Sequence, residues 1–518
     1  MGGGMIPGRG WWWAALAALV IAVGGGLRLA ELDRKVFWLD EVSTLRVLAG
    51  YRRAEVTAEL VRRGEVAATE LARYRQVNAE RDVGDAVRVL WHESPEAAPL
   101  YFVIARAWTR VVGDSPQRLR LLSALLGLLA LPAMFWLARA WFGSARAGWL
   151  ATLLLAVSPI QMLYAQEARM YSLWTVWILV SSAVLARAWR TNAPGAWWWY
   201  AATVAAGWYT HVFFGFAVAG HLCFGVEGDR QRRRRLWVAV LGGTALFAPW
   251  LGRLLFQGVH VSASAGLNEP PPWWFAALRA VAQFSLPFWD ANFEPTGLVT
   301  WEAGWRLVVL SVAATAVWAL RQEPRPVRLL VWCWIAVGPL FLGAVDLWRG
   351  SQLLLVHRYL FVSFLGTQLA VAGWLARRWA WSATWLVTVA LLVSGLISCG
   401  LVARAPTWWT KGHNATDPLI GRVINAADRP LLVVNARTGG INHLLTLQPW
   451  LEPHVRVRVL DSASWPAWKA TEAGRDVFVY RPRRADVAGL RAAGFAPVPQ
   501  VPAGRLWYRR DVAGEPPR

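Results

Sequence analysis

The feature that most constrains this chain is a succession of apolar runs, each about 18 residues or longer; residues 121–140, LLSALLGLLALPAMFWLARA, are representative. In hydrocarbon every backbone N–H and C=O must find its partner within the segment, so such runs cross a bilayer as helices rather than as open strands. Eleven spans are expected, at roughly 11–30, 119–139, 148–164, 170–188, 197–210, 212–226, 236–255, 303–320, 327–345, 359–376 and 381–402. The chain therefore reads as a polytopic α-helical membrane protein. With 56% of its 518 residues hydrophobic, it carries more apolar surface than a soluble domain of this size would need. The first run opens on a Trp triplet and has only Arg9 as a basic residue before it, which favours a retained helix over a cleaved signal peptide.

The formal net charge is +22, and lysine occurs only at Lys35, Lys411 and Lys469, so the basicity is almost wholly arginine. A nucleic-acid partner is not expected, because the arginines punctuate the apolar runs, where they signal topology and meet lipid headgroups. Five short loops are basic, holding Arg139 and Arg146, Arg187 and Arg190, Arg230 and Arg232 to Arg235, Arg321, Arg325 and Arg328, and Arg377 and Arg378. Placing these on the cytoplasmic side of an inner (plasma) membrane puts the N-terminus inside and the C-terminal part outside. Counting 197–226 as two helices rather than one keeps the RQRRRR loop inside. Cys223, Cys333 and Cys399 fall within apolar runs and suggest neither a disulfide framework nor a metal cluster.

Four pieces then lie outside: a first loop at 31–118, a short turn near 165–169, a second large loop at 256–302, and a tail from about 405. The first loop alternates Glu and Arg at helical spacing, as at Glu59 with Arg62 and Arg63 and at Glu70 with Arg73, and ends in an amphipathic stretch at 99–113 suited to the membrane surface. The tail changes character. RPLLVVNA, VRVRVLD, DVFVYRP and GRLWYRR read as strands, with helical patterns near 440–451 and 485–493. Two domains follow, a transmembrane module at 1–404 and a small extracytoplasmic α/β domain at 405–518.

Within this layout the chemically capable side chains gather at one depth. FWLDEVSTL (37–45) places Asp40 and Glu41 where the first helix leaves the membrane on the outer side. SPIQMLYAQEARMYSL (158–173) puts Glu167, Arg169 and Tyr171 in or beside an outer turn. His357, Arg358 and Tyr359 open the tenth span, and His211 marks the turn between two short helices. Each alone fits an ordinary interfacial ion pair, a helix cap or an arginine reaching for headgroups. Together, acids and guanidinium groups at an outer interface suit sugar transfer from a polyprenyl-phosphate carrier. That chemistry needs a base for the acceptor hydroxyl and a permanent positive charge for the departing phosphate.

In order and spacing, FWLDE, PLYFVIARAWTRVVGDSPQRLRLLSALLG, SPIQMLYAQEARMYSL and HRYL resemble the membrane glycosyltransferases of family 39 over residues 11 to about 400. These are C-type-fold enzymes that include protein O-mannosyltransferases and lipid A aminoarabinose transferases. The resemblance implies a C-type glycosyltransferase fold, a catalytic base at Asp40 with Glu41 beside it, a second acidic position at Glu167 and a phosphate-binding guanidinium at Arg358. Many relatives carry a compact His-Pro-Pro-Leu-Tyr element; here HESPEAAPLYF separates His92 from Pro99, leaving His92 a candidate for substrate binding. The expected partners are a polyprenyl-phosphate sugar donor, a lipid, protein or glycan acceptor, and membrane lipids. No cofactor is required by the scheme; a divalent metal is possible but is not predicted. A flippase of lipid-linked sugars would instead show internal repeats and mid-membrane ionisable groups, and a non-catalytic envelope assembly protein would depend on the tail alone.

Overall fold

The computed structural model describes residues 10–257, 272–293, 300–436, 440–461, 464–468 and 474–510. Most of the expected loop at 256–302 lies outside the described residues. The chain divides into two compact units: Met1–Arg34 with Ser94–Tyr101 and Gln117–Ala405, and Lys35–Glu93 with Phe102–Pro116 and Pro406–Arg518. The first loop is thus shared out, most of it grouping with the tail rather than with the membrane module to which its position in the sequence assigned it.

The first unit is helical. Helices stand at each of the eleven expected positions, but six of them among the described residues are long and apolar enough to cross a membrane, or up to eight if each of two bent pairs counts as one span. Helices Trp13–Leu29 and Phe214–Gly225 fall short of that length. The protein is an integral membrane protein on this evidence.

Two expected spans are broken. Ala145–Ala156 and Pro159–Ala165 meet at 60°, and Arg230–Leu246 meets Ala248–Phe256 at 62°. Pro159 and Pro249 account for both, since proline has no N–H to give and clashes with the carbonyl four residues earlier. The first break leaves the Leu155 carbonyl with the Ser158 N–H at 3.3 Å in place of a full helical bond, and the buried Arg28 guanidinium completes this helix end, donating to Leu155 O at 2.8 Å and to Ala156 O at 2.5 Å. Gly24 makes the approach possible, because a Cβ there would lie 2.5 Å from Ala156 O. Similarly, Gly220 lets helix Phe214–Gly225 close on Trp334, whose indole N–H donates to Ala217 O at 3.2 Å.

The second unit is built on a six-stranded sheet. Its strands are β1 (Glu65–Ala67), β2 (Pro430–Asn435), β3 (Arg456–Leu460), β4 (Asp476–Tyr480), β5 (Ala496–Pro497) and β6 (Leu506–Arg510), in the order β1-β3-β2-β4-β6-β5. β3, β2 and β4 run parallel, with Leu432 opposite both Val457 and Phe478. All six residues of β2 are buried, as expected of a central parallel strand covered on both faces. Leu431, Val433, Val477, Val479, Leu490 and Trp507 form its core.

β1 comes from the first loop and pairs antiparallel with β3, Val66 opposite Val457. Just before it, Gly64 turns the chain with φ 70°, a conformation that suits glycine. The turn folds helix Arg53–Arg63 against the segment after it. As a result Glu59 pairs with Arg73 at 3.2 Å and Glu70 with Arg63, in place of the near-neighbour pairs that helical spacing suggested.

Candidate active site

In the first unit, the turn between helices Pro159–Ala165 and Tyr171–Thr191 carries Glu167 and Arg169. It is pinned from both sides. Gln166 donates from Nε2 to the carbonyls of Leu27 and Ala30 at 2.9 and 2.8 Å, while the Arg169 N–H donates to Glu167 O at 2.7 Å and Ser123 Oγ to Arg169 O at 3.4 Å. Glu167 is fully buried and Arg169 half-buried. A carboxylate enclosed at a helix junction is costly unless its surroundings are polar or cationic.

Around the turn stands a cluster of rings. Tyr164 packs edge-on against Tyr171 at 4.7 Å and against Phe361 at 5.2 Å, and its hydroxyl is 2.6 Å from His357 Nε2. Trp174, one turn beyond Tyr171, stacks on His211 with ring centres 4.1 Å apart and an interplanar angle of 11°. Phe213 bridges onward to Tyr359 at 4.9 Å, over whose ring lies the Arg358 guanidinium at 5.5 Å.

His211 shows what this neighbourhood does to charge. Its Nδ1 accepts from the Phe213 N–H at 3.1 Å, so a neutral ring carries its proton on Nε2. Burial first, and then the positive charges of Arg169 and Arg358, push its pKa down to about 3. Two guanidinium groups from separate parts of the chain therefore act on the same imidazole.

Seven of the ten sequence candidates are thus drawn together in one unit: Glu167, Arg169, Tyr171, His211, His357, Arg358 and Tyr359. Pattern reading missed Tyr164, Trp174, Phe213 and Phe361. Tyr164 and Trp174 flank Glu167 at helical spacing, the signal that could have found them.

Asp40, Glu41 and His92 belong to the second unit. Asp40 and Glu41 occupy the first turn of helix Leu39–Leu48, where the helix dipole favours negative charge. Asp40 is half-buried and Glu41 almost wholly buried. His92 is exposed at the end of helix Val83–Glu93. Its neighbour Glu93 is the residue that engages the acid-bearing helix, pairing with the buried Arg46 at 3.0 Å. Among the described residues no three His, Cys, Asp or Glu side chains gather as a metal site would need.

Comparison with solved structures bears on the fold. Over 98% of this chain and 99% of the other, the protein superposes with a TM-score of 0.52 on ArnT from Cupriavidus metallidurans bound to undecaprenyl phosphate, at 16% identity. The fold is that of the C-type membrane glycosyltransferases. The archaeal oligosaccharyltransferase AglB from Archaeoglobus fulgidus, in complex with an inhibitory peptide and a dolichol-phosphate, matches with a TM-score of 0.50 at 10% identity over 96% of this chain and 75% of that one. Residues 96–252 match the family model for dolichyl-phosphate-mannose-protein mannosyltransferases, so the resemblance to the family 39 glycosyltransferases holds. Glu167, Arg169, Tyr171 and His211 lie inside that match; Asp40, Glu41, His92 and the His357–Tyr359 group lie outside it. No curated protein sequence matches the chain.

Proposed function

We propose that this protein transfers a monosaccharide from a polyprenyl-phosphate donor to an acceptor hydroxyl on the non-cytoplasmic face of the membrane, with inversion. Asp40 is the general base: it takes the proton of the acceptor hydroxyl as that oxygen bonds to the anomeric carbon. The bond from that carbon to the phosphate oxygen breaks on the opposite side, and its electron pair leaves with the phosphate. Arg358, with Arg169 near it, receives the phosphate; a planar, permanently charged guanidinium can hold two of its oxygens at once. Glu41 and Glu167 orient donor sugar or acceptor, and the Tyr164, Tyr171 and Tyr359 rings give the carrier and sugar an aromatic wall. No step of the scheme uses a metal, and insensitivity to chelator is expected.

What supports this reading is that Arg169 and Arg358, from separate parts of the chain, both lie near enough to His211 to add to the effect of burial on its pKa, and that the buried Glu167 shares the Arg169 turn. Positive charge concentrated next to an acid suits a phosphate leaving group better than it suits a plain helix cap.

The test compares envelope lipids and glycoproteins of a strain lacking this chain with its parent by mass spectrometry. One lost sugar increment is expected, restored by the wild-type chain and not by Asp40→Asn at equal expression. Restoration by Asp40→Asn would remove the base assignment, and no lost increment would remove the transferase reading.

A further inference from the structure

The helix that carries Asp40 has no cap of its own. Its N-cap residue is Trp38, which makes no side-chain cap hydrogen bond; the Trp38 carbonyl takes the Glu41 N–H at 3.1 Å, and the Leu39 N–H ahead of it turns to an acceptor from elsewhere. The acceptor comes from the tail: Leu39 N–H donates to Asn414 Oδ1 at 3.1 Å, across 375 residues of sequence. Asn414 is fully buried, and its amide is fixed the right way round, because Nδ2 donates to Asp417 Oδ2 at 2.7 Å and to Thr446 Oγ1 at 2.8 Å. Asp417 in turn accepts from the Tyr480 hydroxyl at 3.0 Å, tying the group to the end of β4. One turn along the helix, Asn442 grips it again, donating to Ser43 Oγ at 2.8 Å and accepting from Arg46 Nε at 3.1 Å.

We infer that Asn414, with Asn442, is a positioning residue for the acid: the tail of the same chain supplies the cap that orients the helix immediately before Asp40. The inference rests on the reading of Asp40 as base. Two polar anchors a turn apart fix both the rotation and the tilt of a short helix, where packing alone would fix neither as closely. A carboxylate displaced by an ångström or so from its working position loses much of its catalytic effect.

The experiment uses the purified full-length chain in detergent, a lipid extract of the native membranes as donor, and the sugar increment missing from the deletion strain as readout. Asn414→Ala is expected to lower kcat by roughly ten- to a hundredfold while the apparent KM against dilution of the extract stays within about twofold. Val479→Ala, a core change in β4 away from the helix, is expected to lower the melting temperature while leaving kcat within about twofold. If Asn414→Ala keeps kcat, or if both variants lose it alike while Asp40→Asn is inactive, the positioning role is overturned and the base assignment survives. If Asp40→Asn is active, the base assignment fails and the positioning role fails with it.

Discussion

Arg28 closes the end of another helix: its Nη2 donates to the carbonyl of Leu155 at 2.8 Å, 127 residues away. A guanidinium buried to 1% exposure is costly, and here it is held by three carbonyls, those of Gly24, Leu155 and Ala156. The partial negative charge at a helix C-terminus suits it. Arg28→Ala should cost roughly 1–3 kcal/mol, because it leaves the Ala156 carbonyl without this donor while Leu155 O keeps the Ser158 N–H at 3.3 Å. Arg28→Lys should fall between, having one compact donor group in place of a fork. Thermal unfolding of the three proteins in one detergent checks the order.

The depressed His211 pKa makes a prediction about pH. A ring whose folded value is about 3 stays neutral through the working range of most enzymes, so His211 contributes no inflection between pH 5 and 8. The sign for stability follows from the same value. Above the unfolded value of about 6.5 the ring is neutral in both states; between there and about 3 only the unfolded chain takes up the proton, so stability declines as pH falls. His211→Gln should therefore leave the inflections of the pH–rate profile where they are and flatten the loss of melting temperature between pH 6.5 and 4. A shifted inflection would instead make His211 an acid–base participant.

The backbone was more legible in the sequence than the pairing of distant parts. Apolar runs announce helices because hydrocarbon leaves a backbone no other choice, and helices stand at all eleven expected positions. Their bends were harder to read, since the hydropathy of 148–164 continues across Pro159. The tail strands were legible from their alternation and β-branched content. β1 was not: GEVAA is short and charged, and what makes it a strand is β3, some 390 residues later. The long-range cap on the Asp40 helix was hidden for the same reason, since nothing around Asn414 names its partner. One consequence concerns experiment. Cutting the chain after residue 405 removes β2 to β6, Asn414 and Asn442 together, so loss of activity in that truncation does not separate a scaffold from a catalyst.

The Arg358 guanidinium and the Glu167 carboxylate should each be readable by kinetics. Arg358→Gln is expected to lower kcat/KM by about a hundredfold, since a charge-assisted contact to a leaving phosphate strengthens as the bond breaks. Arg358→Lys should recover part of that loss, keeping charge without the planar fork. Glu167→Gln is nearly the same size and should spare the fold while cutting kcat at least tenfold. Equal activity of Arg358→Gln and wild type would move the phosphate site elsewhere.

Glu65 carries the last prediction, on how the first loop stays attached to the sheet. In β1 its carboxylate accepts from Arg475 at 2.9 and 3.0 Å, from Arg456 at 3.3 Å and from Arg458 at 3.4 Å. The Arg475 hydrogen bond is the largest cause holding its pKa below the ordinary 4.5, against a partial burial that would raise it. A carboxylate with a lowered folded pKa contributes its full stabilisation above the unfolded value; that contribution is lost as pH falls through the folded one. Protonation leaves three arginines facing one another without an anion. Amide hydrogen exchange of the peptide spanning 65–67, corrected for intrinsic rates, should therefore show protection at pH 7 that drops below about pH 4.5. Glu65→Gln should lose about 1–2 kcal/mol of that protection at pH 7 and show little further change on acidification. Protection in wild type that is the same at pH 7 and pH 3.5 would mean that β1 is held by its backbone ladder and Val66 alone.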